Sequence, residues 1–271
     1  MKIYCIANKK GGIGKTTTAT NLASILSDRG YKTLLIDADP QCNSTDTYRA
    51  KIEDTATLYD VLLGYDEPTT IEEAIQHTEI GDIVASDPLL NEAETRFKNE
   101  SGEEYFRLKD SLEKLKNYDY VVIDTAPADN KLLKNCLIAA DEVIIPVTAD
   151  RYGIQGLSEL NNTINTIRKR NNPNLKIAGL LMIKYKERLL LAQEVLEGLT
   201  KVSEQLGTKV FKTKIRESTG TQQAQAQRTT VVNYDKKNNT AVDYMSFVDE
   251  LIGEWLHGKE KQSWSNGRIF W

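Results

Sequence analysis

The chain has 271 residues, 40% hydrophobic and 27% charged, with a formal net charge of −4, which suits one soluble α/β domain. No run of about 18 apolar residues occurs, and Met1-Lys2 leads straight into an apolar stretch, so neither a membrane helix nor a signal peptide is expected. The three cysteines (Cys5, Cys42, Cys136) are scattered without a Cys-x-x-Cys, which fits a cytoplasmic protein and argues against a structural metal or an iron–sulfur cluster.

Charge is unevenly distributed. Residues 1–160 hold 17 Lys and Arg against 28 Asp and Glu, residues 161–240 hold 15 against 6, and the last 31 hold 3 against 5. Binding to a polyanion depends on a local field rather than on the sum, so 161–240 is the place to look for a nucleic-acid surface. The alternative is charge merely spread over helix surfaces.

Ile3-Tyr4-Cys5-Ile6-Ala7 reads as a buried strand, and Ala19, Leu22, Ala23 and Leu26 form one face of a helix ending near Gly30. Between them lies Asn8-Lys9-Lys10-Gly11-Gly12-Ile13-Gly14-Lys15-Thr16-Thr17. Strand, glycine-rich turn and helix make the context of a phosphate-binding loop. Glycines let backbone N–H groups turn toward an anion, and the helix N-terminus adds about half a positive charge. Lys15 then reaches the β/γ-phosphates and the Thr16 hydroxyl meets Mg²⁺. The usual spacing asks for glycine five residues before Gly14, where this chain has Lys9.

Lys32–Asp39 predicts a second strand ending in acid. Ligands in open α/β sheets lie at the carboxyl ends of strands, so Asp37 and Asp39 belong near the loop. Helix capping and turn formation are the competing roles for both. From Ala50 to Glu104 the pattern weakens. Thr57-x-x-Asp60 and Thr70-x-x-Glu73 read as helix starts, Gly81–Ala85 as a short strand, and Glu92–Glu104 as a helix followed by an exposed loop. Tyr118–Pro127 is an apolar strand ending in Asp124, which would hold a water of the Mg²⁺ shell.

Val143–Thr148 and Lys176–Ile183 are further strands, with a helix from Gly153 to Arg168-Lys169-Arg170 between them. A helix with Leu191, Val195, Leu199 and Val202 on one face follows, then a strand over Lys209–Ile215. Thr221–Gln227 is a short low-complexity patch, and helical spacing runs to about Leu256. The alternation predicts a doubly wound, mainly parallel sheet with helices on both faces, in one domain over residues 1–257. Residues 258–271 read as a polar tail in which Gly267 separates Trp264 from Ile269-Phe270-Trp271, leaving no apolar helical face for a membrane.

Lys10-Gly11-Gly12-Ile13-Gly14-Lys15-Thr16 resembles the deviant Walker A motif, Lys-Gly-Gly-x-Gly-Lys-Thr, of the ParA/MinD family of P-loop ATPases. Asp39-Pro40-Gln41-Cys42-Asn43, Asp124-Thr125-Ala126-Pro127, Val231-Val232-Asn233-Tyr234-Asp235 and Ala241-Val242-Asp243-Tyr244 carry the resemblance to about residue 256. It implies ATP and Mg²⁺ as cofactors, with Lys10 through Thr17 holding the nucleotide and Thr16 and Asp124 the metal. By register Lys10 is the lysine that crosses a dimer interface to the partner's nucleotide, with Lys9 a solvated neighbour; Asp39 is the acid that positions the attacking water.

No helix-turn-helix precedes the first strand, so the resemblance is to the short ParA form, without sequence-specific operator binding. It implies a cytoplasmic, nucleoid-associated partition ATPase that dimerises on ATP, binds DNA without sequence preference and is stimulated by a ParB-like partner. The expected DNA contacts are Lys184, Lys186, Arg188, Lys214 and Arg216, with Arg188 and Arg216 best matched to the family. A MinD-like membrane regulator lacks its amphipathic helix here, and a metal-cluster ATPase lacks its cysteines. A positioner of protein cargo uses the same chemistry and stays open.

Overall fold

The computed structural model describes residues 1–64, 69–97, 102–148, 151–185 and 190–265, and the backbone alone at residues 94, 151–155, 190–195 and 254–265. In chain order its strands are β1 (Lys2–Ile6), β2 (Thr33–Ala38), β3 (Ile75–His77), β4 (Asp82–Val84), β5 (Tyr120–Thr125), β6 (Glu142–Thr148) and β7 (Lys176–Ile183). The helices are α1 (Lys15–Asp28), α2 (Asn43–Thr47), α3 (Leu58–Leu63), α4 (Ala93–Arg96), α5 (Arg107–Lys114), α6 (Lys131–Ala139), α7 (Arg151–Arg170), α8 (Leu190–Gln205), α9 (Thr219–Ala226), α10 (Val231–Tyr234) and α11 (Asn239–Ser265).

The strands form one sheet in the order β3-β4-β2-β5-β1-β6-β7. Every neighbouring pair is parallel except β3–β4. β2 and β5 are buried at every position. Unbroken apolar runs are what a parallel sheet covered on both faces requires. Alternate residues feed two cores: Cys5, Leu34, Ile36, Val121 and Ile123 pack toward α3, α5, α6 and α7. Tyr4, Ile6, Leu35, Tyr120 and Val122 pack toward α1 and α11. The doubly wound α/β reading therefore holds, and β1, β2, β5, β6 and β7 all end at one edge.

Several local expectations change. Thr57 and Asp60 make their capping box and open α3. Thr70 and Glu73 make the same hydrogen bonds (Thr70 N to Glu73 Oε2, 2.9 Å), yet no helix follows, because the chain turns directly into β3. Of the helix and exposed loop expected over Glu92–Glu104, α4 supplies four helical residues, Gly102 takes a left-handed φ of 82°, and Phe97 and Glu104 are buried rather than exposed. The low-complexity patch lies largely within α9. Helix α11 runs on to Ser265, past Leu256, through Lys259-Glu260-Lys261-Gln262, residues of good helix propensity. Of the face predicted for α8, Leu199 is fully buried and Val202 packs on the core, while Leu191 and Val195 lie outside the described side chains.

The strand expected at Lys209–Ile215 is broken. It touches β7 through single bridges, Leu180 with Val210, and Tyr185 with Arg216 just beyond that stretch. Between them Lys212 N and Thr213 N donate to the Glu250 carboxylate at 2.8 and 2.9 Å, so their backbone leaves the sheet for α11. Phe211 anchors the segment, edge-on to Phe247 with ring centroids 4.9 Å apart. It packs so closely over Gly179 that a Cβ there would lie 2.7 Å from the Phe211 ring. Gly179→Ala should therefore displace Phe211 and cost about 1–3 kcal/mol, the range for overpacking. In urea melts, Gly179→Ala combined with Phe211→Leu should lose less than the sum of the single changes.

Candidate nucleotide site

β1 delivers the chain into a loop whose bends need glycine. Gly12 and Gly14 have φ of 68° and 76°, in the left-handed region that side chains avoid. A Cβ on Gly14 would also sit 3.0 Å from Ile183 Cδ1. The Gly14 carbonyl accepts Thr18 N at 2.9 Å and Thr18 Oγ1 at 2.8 Å, which starts α1. No acid occupies the first turn of α1, so its N–H groups face the loop without a competing carboxylate. Lys15 is only 6% exposed, and its Nζ donates to the Lys10 carbonyl at 3.2 Å, arching over the loop. Burial lowers its pKa, against the pull of Asp124 and Asp39.

Asp37 and Asp124 lie opposite one another in register on β2 and β5, both fully buried. Asp124 Oδ2 accepts from Ser44 Oγ at 2.8 Å, while Oδ1 is buried with no hydrogen-bond partner. Burial pushes the Asp124 carboxyl up to about 6; the Ser44 hydrogen bond, the nearby Thr16 hydroxyl and the charge of Lys15 act against the shift, and the charge of Asp39 adds to it. Asp37 is pushed up to about 7 by burial and then by Asp124. Two carboxylates buried side by side resist joint ionisation, and a cation between them and a phosphate would relieve this.

The donors fit Mg²⁺. It is a hard ion that takes a carboxylate and a hydroxyl, keeps several waters and completes its shell with phosphate oxygens. Asp124 with its orphaned oxygen and Thr16 supply that minimum. No group of three His, Cys, Asp or Glu capable of holding a metal by itself exists among the described residues.

The two acids of β2 and its turn divide the roles left open by the sequence. Asp37 is a turn former: its carboxylate accepts Asp39 N (3.1 Å), Thr45 N (2.8 Å) and Thr45 Oγ1 (2.7 Å). Asp39 lines the cleft above the loop, with Oδ1 accepting Gln41 N at 3.0 Å and its carbonyl held by Ser86 Oγ at 2.7 Å. That cleft, about 710 Å³, is walled by the loop on one side and by residues 215–225 and Tyr244 on the other. Tyr244 OH lies 3.1 Å from Thr18 Oγ1, tying α11 to α1. Neither Ser44 nor Tyr244 was singled out from the sequence. Their roles depend on contacts 80 and 226 residues away along the chain.

Lys10 leaves the loop away from this cleft, its Nζ reaching Thr148 Oγ1 at 3.4 Å. Lys9 is not a solvated neighbour: its side chain is 14% exposed and its Nζ lies 2.6 Å from Asp129 Oδ2. Of the five basic candidates, Lys186 and Arg188 lie outside the described residues. Lys184, at a left-handed φ of 51°, donates to the Gly12 carbonyl at 2.7 Å and lines the nucleotide cleft. Arg216 grips Asp243 through two nitrogens, with Nε to Oδ2 at 2.9 Å and a terminal nitrogen to Oδ1 at 2.7 Å. Lys214 stands over the Tyr185 ring at 4.7 Å. No described helix is long and apolar enough to cross a membrane.

Residues 1–177 match the family model described as an AAA domain. The chain is 36% identical over 255 residues to a chromosome partitioning protein ParA of Myxococcus xanthus, covering 93% of this chain and 88% of that one. Among solved structures it resembles one described as cobyrinic acid a,c-diamide synthase of Mycobacterium smegmatis with bound ADP and magnesium. The TM-score is 0.80 at 28% identity, over 95% of this chain and 96% of that one. It also resembles the Cyanothece McdA(D38A)–ATP complex, with a TM-score of 0.80 at 26% identity, over 93% and 96%. With a deviant phosphate loop, a fully buried carboxylate beside it and matches along nearly its whole length, the chain belongs to the ParA-type ATPases.

Proposed function

We propose that this ParA-type ATPase, which uses ATP and Mg²⁺, is a DNA-partition switch. ATP closes two copies into a dimer, the closed dimer binds DNA without sequence preference, and hydrolysis stimulated by a ParB-like partner releases it. The observation that carries the reading is the divergence of two lysines five residues apart in one loop. Lys15 covers its own phosphate cleft, while Lys10 turns the other way, its Nζ toward Thr148 at the end of β6, on the side from which a second copy would approach. A cation added across an interface to a phosphoryl transition state is worth about 10³–10⁵ in rate, which makes turnover depend on assembly. Switching follows because ATP has different affinities for the open and closed states.

In this reading Thr16 and Asp124 hold Mg²⁺, which neutralises charge on the transferring phosphoryl group. The loop N–H groups and Lys15 orient the phosphates, and Asp39 orients the attacking water. The protein would act as a cytoplasmic, nucleoid-associated homodimer. A second reading, in which the cargo is a protein cluster, draws support from the basic candidates. Arg216 is neutralised by Asp243 and Lys184 is spent on the phosphate loop, so the DNA surface would rest mainly on Lys186, Arg188 and Lys214.

Three outcomes test this reading. Lys15→Ala should abolish hydrolysis and nucleotide-dependent dimerisation. Lys10→Ala should keep nucleotide binding in the monomer and lose the dimer and turnover, while Asp39→Ala should bind ATP, dimerise and stay trapped. Light scattering beside an ATPase assay reads all three variants, and an Asp39→Ala protein unable to bind ATP would show its role to be structural.

DNA binding should require ATP and be lost with ADP or no nucleotide. Each phosphate contact contributes about −0.9 to the slope of log K against log salt. Arg188→Ala removes one contact per subunit, so the slope should flatten by about two on any sequence, with ATP-driven dimerisation retained. Arg216→Ala should flatten it less, because Asp243 already balances that charge. Slopes unchanged in both variants would favour the protein-cargo reading.

The third outcome is a pH dependence. Burial pushes Asp124 up to about 6, and burial with the Asp124 charge pushes Asp37 up to about 7, against about 3.9 in an unfolded chain. Between about pH 4 and 7 the native state therefore holds more protons than the unfolded one. The pair's contribution to nucleotide-free stability rises as pH falls from about 8 to 5. Mg²⁺–ATP needs Asp124 ionised, so the thermal shift it produces should run the opposite way, large at pH 8 and small at pH 5.5. Asp124→Asn should keep only the pH dependence of the nucleotide itself. Identical profiles for the two proteins would take Asp124 out of the metal site.

A further inference from the structure

We propose that Lys9 and Asp129 form a positioning pair that sets the direction in which Lys10 leaves the phosphate loop. The inference rests on the cross-subunit role of Lys10 argued above.

Three consecutive residues at the start of the loop are tied to the rest of the fold, Asn8 and Lys10 to β6 and Lys9 to Asp129. Asn8 Nδ2 donates to the Pro146 carbonyl in β6 at 2.9 Å, and Asn8 Oδ1 accepts Lys10 N at 3.0 Å. α7 closes over that amide: a Cβ on Gly156 would lie 3.6 Å from Asn8 Oδ1. Lys9 Nζ meets Asp129 Oδ2 at 2.6 Å, and the same oxygen accepts Thr163 Oγ1 from α7 at 3.2 Å. Lys10 Nζ reaches Thr148 Oγ1 at the end of β6.

Asp129 sits between β5, which carries Asp124, and the start of α6. The pair therefore joins the outer side of the phosphate loop to the segment that follows the Mg²⁺ carboxylate. Lys9 occupies the position where the general phosphate-loop pattern has glycine. A glycine there leaves the entry to the loop without a side-chain anchor, whereas Lys9 fixes it from outside and cannot rotate without breaking the ion pair.

The carboxylate is prepared for this. Burial acts to raise Asp129, but the Lys9 hydrogen bond and charge, the Thr163 hydroxyl and Lys134 outweigh it and hold the group below the usual carboxylate range. The pair lies on the rim of a second cleft, about 930 Å³, between α6 and α7 and distinct from the nucleotide cleft. Lys9 thus lines this second cleft and not the nucleotide cleft; it acts through its neighbour.

The test compares Lys9→Met, Asp129→Asn and Lys9→Arg with the unchanged protein. Misplacement of a reacting group by about 1 Å costs about a hundredfold in rate. The first two variants should lower kcat about ten- to hundredfold and weaken ATP-dependent dimerisation, with ADP affinity of the monomer and Tm nearly unchanged. Lys9→Arg, which keeps the charge, should recover most of the rate. Adding Lys9→Met to Lys10→Ala should cost nothing further, because a positioning residue has no effect once the residue it positions is gone.

A normal kcat in Lys9→Met, or losses that track Tm and ADP affinity, overturns the pair. Additive losses in the double variant do the same. An inert Lys10→Ala overturns the cross-subunit reading and this inference with it, whereas a crippled Lys10→Ala beside a normal Lys9→Met overturns the positioning pair alone.

Discussion

Two carboxylates buried at facing positions of adjacent central strands are a cost the fold carries until a cation arrives. Asp37 spends its oxygens on three hydrogen bonds within its own turn, which shapes the chain from Ala38 to Thr47. Asp124 keeps one oxygen unpartnered in a fully buried position. An uncompensated buried acceptor costs about 1–3 kcal/mol, more when charged. A divalent ion beside that oxygen would relieve this cost. The same carboxylate, through Ser44, is the point where the start of α2 is fastened to β5.

Around this pair the phosphate loop is held from both sides. Inside, Lys15 bridges back to the Lys10 carbonyl, and Lys184 at the end of β7 grips Gly12. Outside, Asn8, Lys9 and Lys10 reach to β6, to Asp129 and to Thr148. A loop that must present N–H groups to an anion without rearranging benefits from such ties, because preorganised dipoles need no reorientation during reaction.

The architecture was largely legible because each buried parallel strand is a continuous apolar run, and because Gly12 and Gly14 sit where only glycine takes the required backbone. The placement of Lys15 and Thr16 at the loop and of Asp124 at the end of β5 was legible from the same local context. What was not legible depended on distant partners. Lys9 reads as solvated until Asp129, 120 residues later, is placed beside it. Arg216 reads as a free basic residue until Asp243 is brought against it. The run from Lys209 to Ile215 has strand composition, but Glu250 of α11 takes two of its N–H groups out of the ladder. Thr70 and Glu73 show the converse: the local capping hydrogen bonds form, and the tertiary path ends the turn before a helix develops.

That interrupted segment has a bearing on how two copies can meet. A long, regular outer strand offers a row of free backbone groups on which another chain can add, the usual route to open-ended association. Here one margin of the sheet is β3, three residues long and antiparallel to its neighbour. The other is covered by a stretch that touches β7 only at intervals and turns its remaining donors inward to a helix. Neither margin is a template for continuing the sheet. In the dimer proposed above, self-association would be left to the rim where the strands end, so that growth would stop at a closed pair whose formation nucleotide could govern.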